Sequence, residues 1–474
     1  MLAAASLLVS VSLHAQEPGV TTQTAEASPT LDSLVAEVRR LQQAIETLQT
    51  ALADARRQTA EAQQSLADLR EQLAEERELL AAQMATLEQS KVESGSKYRV
   101  RLFGMGLMQL ISTRGAVDNI DLPILAVESV PGDSGGNISA AVRQSYLGVA
   151  VFGPPLGDFD TSASLSVDFF GGFPDIADGL SAPGVRLRTI SFAAEGARTS
   201  LRAGQDTPFF SPASPASLAS TAYPALSSSG NIWSWMPQVY VERRYQRPDD
   251  VTVTLQGGVL DSFTGEVPAG EYSRLATAGE RSRQPAYAGR LSWRRRSGER
   301  TLSAGGAGYY SRHDWGFRRP VNAWAMMADW EVPLWTSLTL SGELYRGQAI
   351  GGLGGGAHSS VLFNGAPTEA ASTVHPLRSR GGWTQVKFQQ SPRIEFNAAF
   401  GIDLSRPRPF NGLLQPPQDE APSASRNASG LLNVIYQLRS NIFYTVEYRR
   451  LWTRRLDGRA WLADHLSFGG GIVF

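Results

Sequence analysis

Cysteine is absent from this chain of 474 residues, which excludes a disulfide framework and any thiolate metal site. Past the N-terminus no apolar run reaches 18 residues, so no membrane-spanning helix is expected. Barrel strands are individually too short and too mixed to register as such runs, so a membrane remains open. Lysine is also scarce. Lys91, Lys97 and Lys387 are the only lysines among 44 bases, and the rest are arginine, whose planar fork suits carboxylates and phosphates. The net charge of −1 conceals a split, because residues 1–96 carry 7 bases and 14 acids while the remainder carries 37 and 31.

The N-terminus, "MLAAASLLVSVSLHAQEPG", carries an apolar core from Leu2 to Leu13 and a small-residue cut after Ala15. It reads as a signal peptide over residues 1–15, followed by a linker over 16–30. No base precedes the apolar core, so the true start is expected upstream. From Leu31 the spacing turns heptad: Leu31, Leu34, Val38, Leu41, Ile45, Leu48, Leu52, Ala55 and Thr59 alternate steps of 3 and 4, and the register continues to Leu87. Residues 31–90 therefore read as an α-helical coiled coil, on the order of 85 Å long, whose seam needs partner chains. The a-type positions mix Val38, Ile45 and Thr59 with leucines and satisfy neither the dimer nor the trimer rule.

After a polar linker, 91–97, the helical period ends and period two begins. "DTSASLSVDFF" sets Ala163, Leu165, Val167 and Phe169 against Ser162, Ser164, Ser166 and Asp168, and "PRIEFNAAFGIDLS" repeats the alternation. Sixteen such segments run from 98 to 474, joined alternately by tight turns such as "EGAR", "EVPL" and "QSP" and by long loops such as 207–236 and 348–378. A soluble sandwich has no reason for that alternation, whereas a membrane barrel has short turns on one side and long loops on the other. Trp330 and Trp335 flank "EVPL", where an interfacial belt would lie. The fold expected is an all-β transmembrane barrel of about sixteen antiparallel strands over 98–474, preceded by the coiled coil.

The chain ends on "HLSFGGGIVF". Leu466, Phe468, Gly470, Ile472 and Phe474 share one face, so the last strand must be paired to its final residue and close the barrel, because an unpaired edge in lipid costs several kcal/mol per group. This ending resembles the assembly signal of bacterial outer-membrane barrels, carried here by Phe468, Ile472 and Phe474, and implies recognition by the barrel-assembly machinery. The signal, the coiled coil and the sixteen strands together resemble the DcaP-like trimeric outer-membrane porins, and less closely the phosphate-selective porins. The resemblance rests on architecture and on stretches such as "RQSYLGVAVFGPPLGDFD" and "RAGQDTPFFSP". It implies a homotrimer in outer-membrane lipid, a periplasmic coiled coil, and passive uptake of small anions such as dicarboxylates.

With apolar side chains facing lipid, strand phase turns Arg101, Arg202, Arg290, Lys387 and Arg449 into the lumen. Glu343, Glu395, Glu447 and Asp168 turn inward as well. The lumen is then mixed, and its charges either set up a transverse field or pair with one another. Residues 207–236 form the third long loop, which in position and size is similar to the constriction loop of trimeric porins, with Phe209, Phe210, Trp233 and Trp235 as anchors. A surface loop packing on a neighbouring subunit is the alternative. Two other functions stand beside the porin. One is a structural barrel whose coiled coil spaces the membrane from peptidoglycan; the other is a hydrolase using His465 near Ser467, for which no acidic partner or nucleophile motif is visible. No cofactor, metal or nucleic-acid partner is expected.

Overall fold

The computed structural model describes residues 31–92, 98–173, 183–266, 273–298, 300–406 and 424–474. The signal-peptide and linker readings for residues 1–30 and 93–97 lie outside them. The chain divides into two units, Met1–Met84 and Ala85–Phe474. The first is built on one helix, Leu31–Val92, so Lys91 and Val92 belong to the helix and not to a linker. Its heptad residues Val38, Leu41, Ile45, Leu48 and Leu52 are each more than half exposed and form an apolar stripe on the helix. Among the described residues no helix is long and apolar enough to cross a membrane.

The second unit is a closed antiparallel barrel. Its strands are Arg99–Arg114, a broken second strand made of Gly136–Ala141 and Tyr146–Phe152, then Asp160–Asp168, Arg186–Glu195, Thr199–Asp206, Met236–Arg247, Val251–Leu260 and Ala286–Ser297. The ninth to sixteenth are Arg300–Asp314, Pro320–Pro333, Leu338–Gln348, Arg378–Ser391, Ile394–Arg406, Ala424–Gln437, Ile442–Arg455 and Ala460–Val473. Each pairs with the next, and the sixteenth returns to the first from Val473 opposite Met105 to Asp464 opposite Arg114. The last residue completes the seam: Gly104 N–H donates to the Phe474 carbonyl at 2.9 Å, and Phe474 N–H donates back to Gly104 at 3.1 Å.

The second strand is not continuous. Between the pairs Met105–Tyr146 and Gln109–Ala141, the first strand spends three residues where the second spends four, Val142–Ser145. The Ser145 hydroxyl fills the gap, accepting from Leu107 N–H at 2.9 Å. The alternation of tight and long links is also less strict than the sequence suggests. Trp315–Arg319 and Leu456–Arg459, on the long-loop side, are shorter than the turn Gly153–Phe159. In both short loops a glycine with positive φ, Gly316 or Gly458, reverses the chain quickly.

Period two decides which side each residue faces. Along the first strand Met105, Leu107, Gln109, Ile111 and Thr113 are buried while Met108 and Leu110 are exposed. Away from the strand ends the outward set is mostly apolar, with aromatics such as Tyr287, Tyr310, Phe388, Phe400, Tyr436, Tyr444, Trp452 and Phe468 concentrated from the eighth strand onward. The inward set is not uniformly polar. Met105 and Leu107 pack against Phe443 and Leu218, because a long loop occupies part of the interior.

Candidate functional site

That loop runs from Thr207 to Trp235, between the fifth and sixth strands, and it folds into the barrel. Its first anchor is apolar. Phe209 and Phe210 are buried against Met236, Leu260, Ala286, Tyr309 and Met327, and the Phe209 ring stacks on Tyr240 with centroids 4.5 Å apart. Its other anchors are inward polar side chains on the far wall. Ser211 donates to Glu343 at 2.6 Å, Ala216 N–H to Gln385 at 3.0 Å, and Ser217 to Glu447. Asn433 donates to the Ala216 carbonyl at 3.0 Å, Gln144 to that of Ala219 at 3.0 Å, and Asn427 to that of Ser228 at 2.9 Å. Each of these wall residues is buried, so each has lost water and depends on the loop for replacement hydrogen bonds. The loop therefore closes the interior along the second and the eleventh to fifteenth strands.

The interior stays open on the opposite side. A cavity of about 760 Å³ follows the fifth to eighth strands from Phe209 toward the turns. Arg202, Arg244, Arg247, Arg290, Arg294 and Arg296 line it, against the acids Asp206, Glu242 and Asp250. Sequence reasoning picks Arg290 from "AGRLSWRRRSG" but passes over Arg294 and Arg296, which continue the same inward phase two and three steps on, opposite outward Leu291 and Trp293. Among the described residues Arg247, Arg294 and Arg296 have no acidic partner.

The five cations singled out from sequence sit in unlike surroundings. Arg202 pairs with Glu195, and both are more than 40 % exposed. Arg290 is buried in a two-point pair with Asp329, one arm at 2.9 Å. Lys387 lies 3.9 Å from Glu395. Arg449 is buried beneath the loops, paired to Glu447 at 2.6 Å and donating to Ser220 and to the Pro123 carbonyl. Arg101 shares the inward phase of Met105 and Leu107, is exposed, and has no acidic partner among the described residues.

Trp233 and Trp235 do not join the apolar anchor of Phe209 and Phe210. Trp235 stands against two arginines of the fourth strand, Arg186 at 4.9 Å and Arg188 at 5.0 Å from its ring centre, and Trp233 packs edge-on to it and against Tyr223. Asp168 holds Arg186 at 2.7 Å and lies 3.8 Å from Arg188. On the loop side a second cavity, about 280 Å³, has Trp233, Asp261, Glu266, Arg274 and Glu280 in its lining. Arg274 grips Glu280 with two bonds, at 2.7 and 2.9 Å, and with the Thr277 cap this holds the Glu280 carboxyl down at about 2.

Among the described residues no three His, Asp or Glu side chains converge as metal ligands would. His465 and Ser467 are buried on the sixteenth strand with no hydrogen bond between them, and Ser467 instead accepts from Gln109 at 3.3 Å.

Against solved structures the chain superposes on the outer-membrane channel DcaP of Acinetobacter baumannii, with a TM-score of 0.59 at 14% identity, over 80% of this chain and 99% of that one. The fold is that of the DcaP channel. An anion-selective porin from Comamonas acidovorans aligns with a TM-score of 0.47 at 11% identity, covering 80% of this chain and all of the other. OmpT of Vibrio cholerae aligns at 0.45 with 9% identity, over 80% of this chain and 99% of that one. No protein-family profile and no curated protein sequence matches the chain.

Proposed function

We propose that this chain is an outer-membrane porin through which small hydrophilic anions, carboxylates among them, diffuse passively. The observation that carries the reading is the open cavity beside the infolded loop, where six arginines face three acids. Among the described residues three of those arginines are not spoken for by an ion pair, so a passing anion meets charge that is available. Phe209 and the segment behind it narrow the passage, with Arg202, Arg290, Arg294 and Arg296 along its wall and Arg101 and Lys387 at more distant lumen positions. A guanidinium fork suits a carboxylate better than a spherical halide. The outward apolar and aromatic surface supports residence in outer-membrane lipid, and Phe468, Ile472 and Phe474 would serve the barrel-assembly machinery.

The helix Leu31–Val92 would be the periplasmic coiled coil of a homotrimer, its exposed heptad stripe covered by two other copies. The same stripe favours a second reading, in which the helix spaces the membrane from peptidoglycan and the barrel conducts little. A hydrolase is disfavoured by the burial of His465 and Ser467 without a hydrogen bond between them. Conductance of the purified protein in planar bilayers separates these readings: a porin opens stable steps and shifts its reversal potential toward that of the anion in a salt gradient, whereas a spacer gives no steps. Cation preference would overturn the anion assignment.

A further inference from the structure

The outward face of the barrel carries most of its charge at the long-loop rim and along one arc; at the turn rim Arg243, Arg295 and Arg300 are the outward charges in the described strands. At the long-loop ends of the ninth to sixteenth strands and of the first, outward positions hold Arg312, Arg346, Arg380, Arg426, Arg450 and Arg114, each immediately beyond or near the apolar residues of the same face, such as Tyr310, Leu344 and Tyr448. At the turn ends of these strands Arg300 is the one outward charge among the described residues. On the second to eighth strands the loop-end outward positions are Ile138, Val167, Leu187, Ala203, Val239, Val259 and Tyr287, with no charge among them.

Within the belt, compensation is nearly missing. Arg346 stands directly opposite Arg380 in the ladder, an arrangement of like charges that destabilises a sheet unless something lies between them. Among the described residues two acids share the outward phase here: Asp464, 3.3 Å from Arg450 and opposite Arg114, and Asp314, whose carboxylate accepts from Gly316 N–H and pairs with no arginine. Arg312, Arg346, Arg380 and Arg426 have no acidic partner among the described residues. Neighbouring strands are about 4.8 Å apart, so forks on adjacent or next-but-one strands can grip separate oxygens of one headgroup.

We propose that this belt binds phosphorylated headgroups of the lipid leaflet on the long-loop side, and that lipid phosphate supplies the counter-charge the protein lacks. The position argues for a lipid and not for a dissolved anion: the arginines sit on the outside of the barrel, at the upper edge of the surface that faces hydrocarbon, which is where headgroup phosphates lie. The proposal rests on the membrane reading above and on nothing about what the channel passes.

The test uses the full-length protein in nanodiscs, with bis-phosphorylated lipid A as probe, its dephosphorylated counterpart as control, and lipids retained by the protein counted by native mass spectrometry. The variant Arg346→Gln/Arg380→Gln/Arg426→Gln should bind lipid A at least tenfold more weakly, and the matching lysine variant should fall between it and the parent. The dephosphorylated lipid should bind the parent no better than lipid A binds the glutamine variant. Equal retention of the two lipids, or unchanged binding by the glutamine variant, overturns the proposal, as does full displacement of lipid A by millimolar inorganic phosphate. If the triple glutamine variant does not assemble, Arg346→Gln alone, checked for heat modifiability, carries the same comparison. Conductance should be unaffected by these changes; a parent protein that does not conduct would sink the porin reading and leave the lipid measurement intact.

Discussion

The Arg290 guanidinium reaches across the whole width of the ninth strand to the Asp329 carboxylate, and it passes over Gly305. Gly305 is opposite Ser292 on one side and Asp329 on the other, and a Cβ there would stand 2.7 Å from both the Arg290 Cζ and the Asp329 Oδ2. The missing side chain is what lets two inward charges two strands apart meet. Gly305→Val should therefore separate them, and Arg290→Ala should strand a largely buried carboxylate. Removing one partner of a buried pair costs about 3–5 kcal/mol, whereas Arg290→Leu/Asp329→Leu should cost far less. Urea or heat denaturation of the folded barrel in detergent, read by its mobility on gels, distinguishes the three.

The same pair removes Arg290 from the first rank of selectivity residues, which leaves Arg247, Arg294 and Arg296, the last two side by side on the inward phase of one strand. For an ion passing about 6 Å away through water, one unit charge contributes about 0.7 kcal/mol, a factor of roughly three, before screening. Arg294→Gln/Arg296→Gln should lower the anion-to-cation permeability ratio several-fold at low salt and by little near 1 M. Reversal potentials in a salt gradient measure it. An unchanged potential would show that ions take another route.

How much of this was legible in the sequence follows from what period two can and cannot encode. It places a residue on a face, so the sixteen strands are countable, and Arg290 and Arg449 come out inward. It says nothing about neighbours. Whether Arg290 is available depends on Asp329, 39 positions away and two strands over, and on Gly305 between them. The inward turn of the loop 207–235 could be anticipated from its place in the chain. Its clamps could not, because Glu343, Gln385, Asn433 and Glu447 reveal themselves only once the ladder register brings them to one level. The break at Val142–Ser145 has a further cause: nothing local in "AVRQSY" forbids a strand, and only pairing against the first strand exposes the extra residue.

Acid should loosen the loop after the seventh strand. The Glu280 carboxyl is lowered from about 4.5 to about 2, first by its hydrogen bonds to Arg274, so it favours the folded loop most above pH 4.5, and that contribution disappears as pH falls through 2. Hydrogen exchange at the backbone amides of Thr277 and Glu280 should stay slow near pH 5 and lose protection toward pH 2, beyond the intrinsic change in exchange rate. Glu280→Gln should abolish the pH dependence and leave exchange faster throughout, by loss of both the two-point pair and the cap.

Removing residues 31–90 should leave the barrel closed, since its ladder is complete from Gly104 to Phe474 without the helix. Oligomers should dissociate at lower detergent stringency than those of the full chain, because the heptad stripe through Val38, Leu41, Ile45, Leu48 and Leu52 would no longer be available to partner copies. Cross-linking across a detergent series reads this out. Equal persistence of both oligomers would transfer the helix from assembly to spacing.

The last residue offers the sharpest check on closure. Phe474 exchanges two backbone hydrogen bonds with Gly104, at 2.9 and 3.1 Å, and its ring is more than half exposed on the outward face. Deleting it removes both bonds at the one seam every other pairing depends on, and with them the terminal aromatic of the alternating set Phe468, Gly470, Ile472. Phe474→Asp keeps the bonds and places a charge where an apolar ring meets lipid. If closure alone mattered, the deletion would fail and the aspartate variant would assemble; if the aromatic end is also the feature recognised during assembly, both should leave chains unfolded. Heat-modifiable barrel in membrane fractions is the readout, and normal levels of it in the deletion would mean that the barrel closes without its final pair.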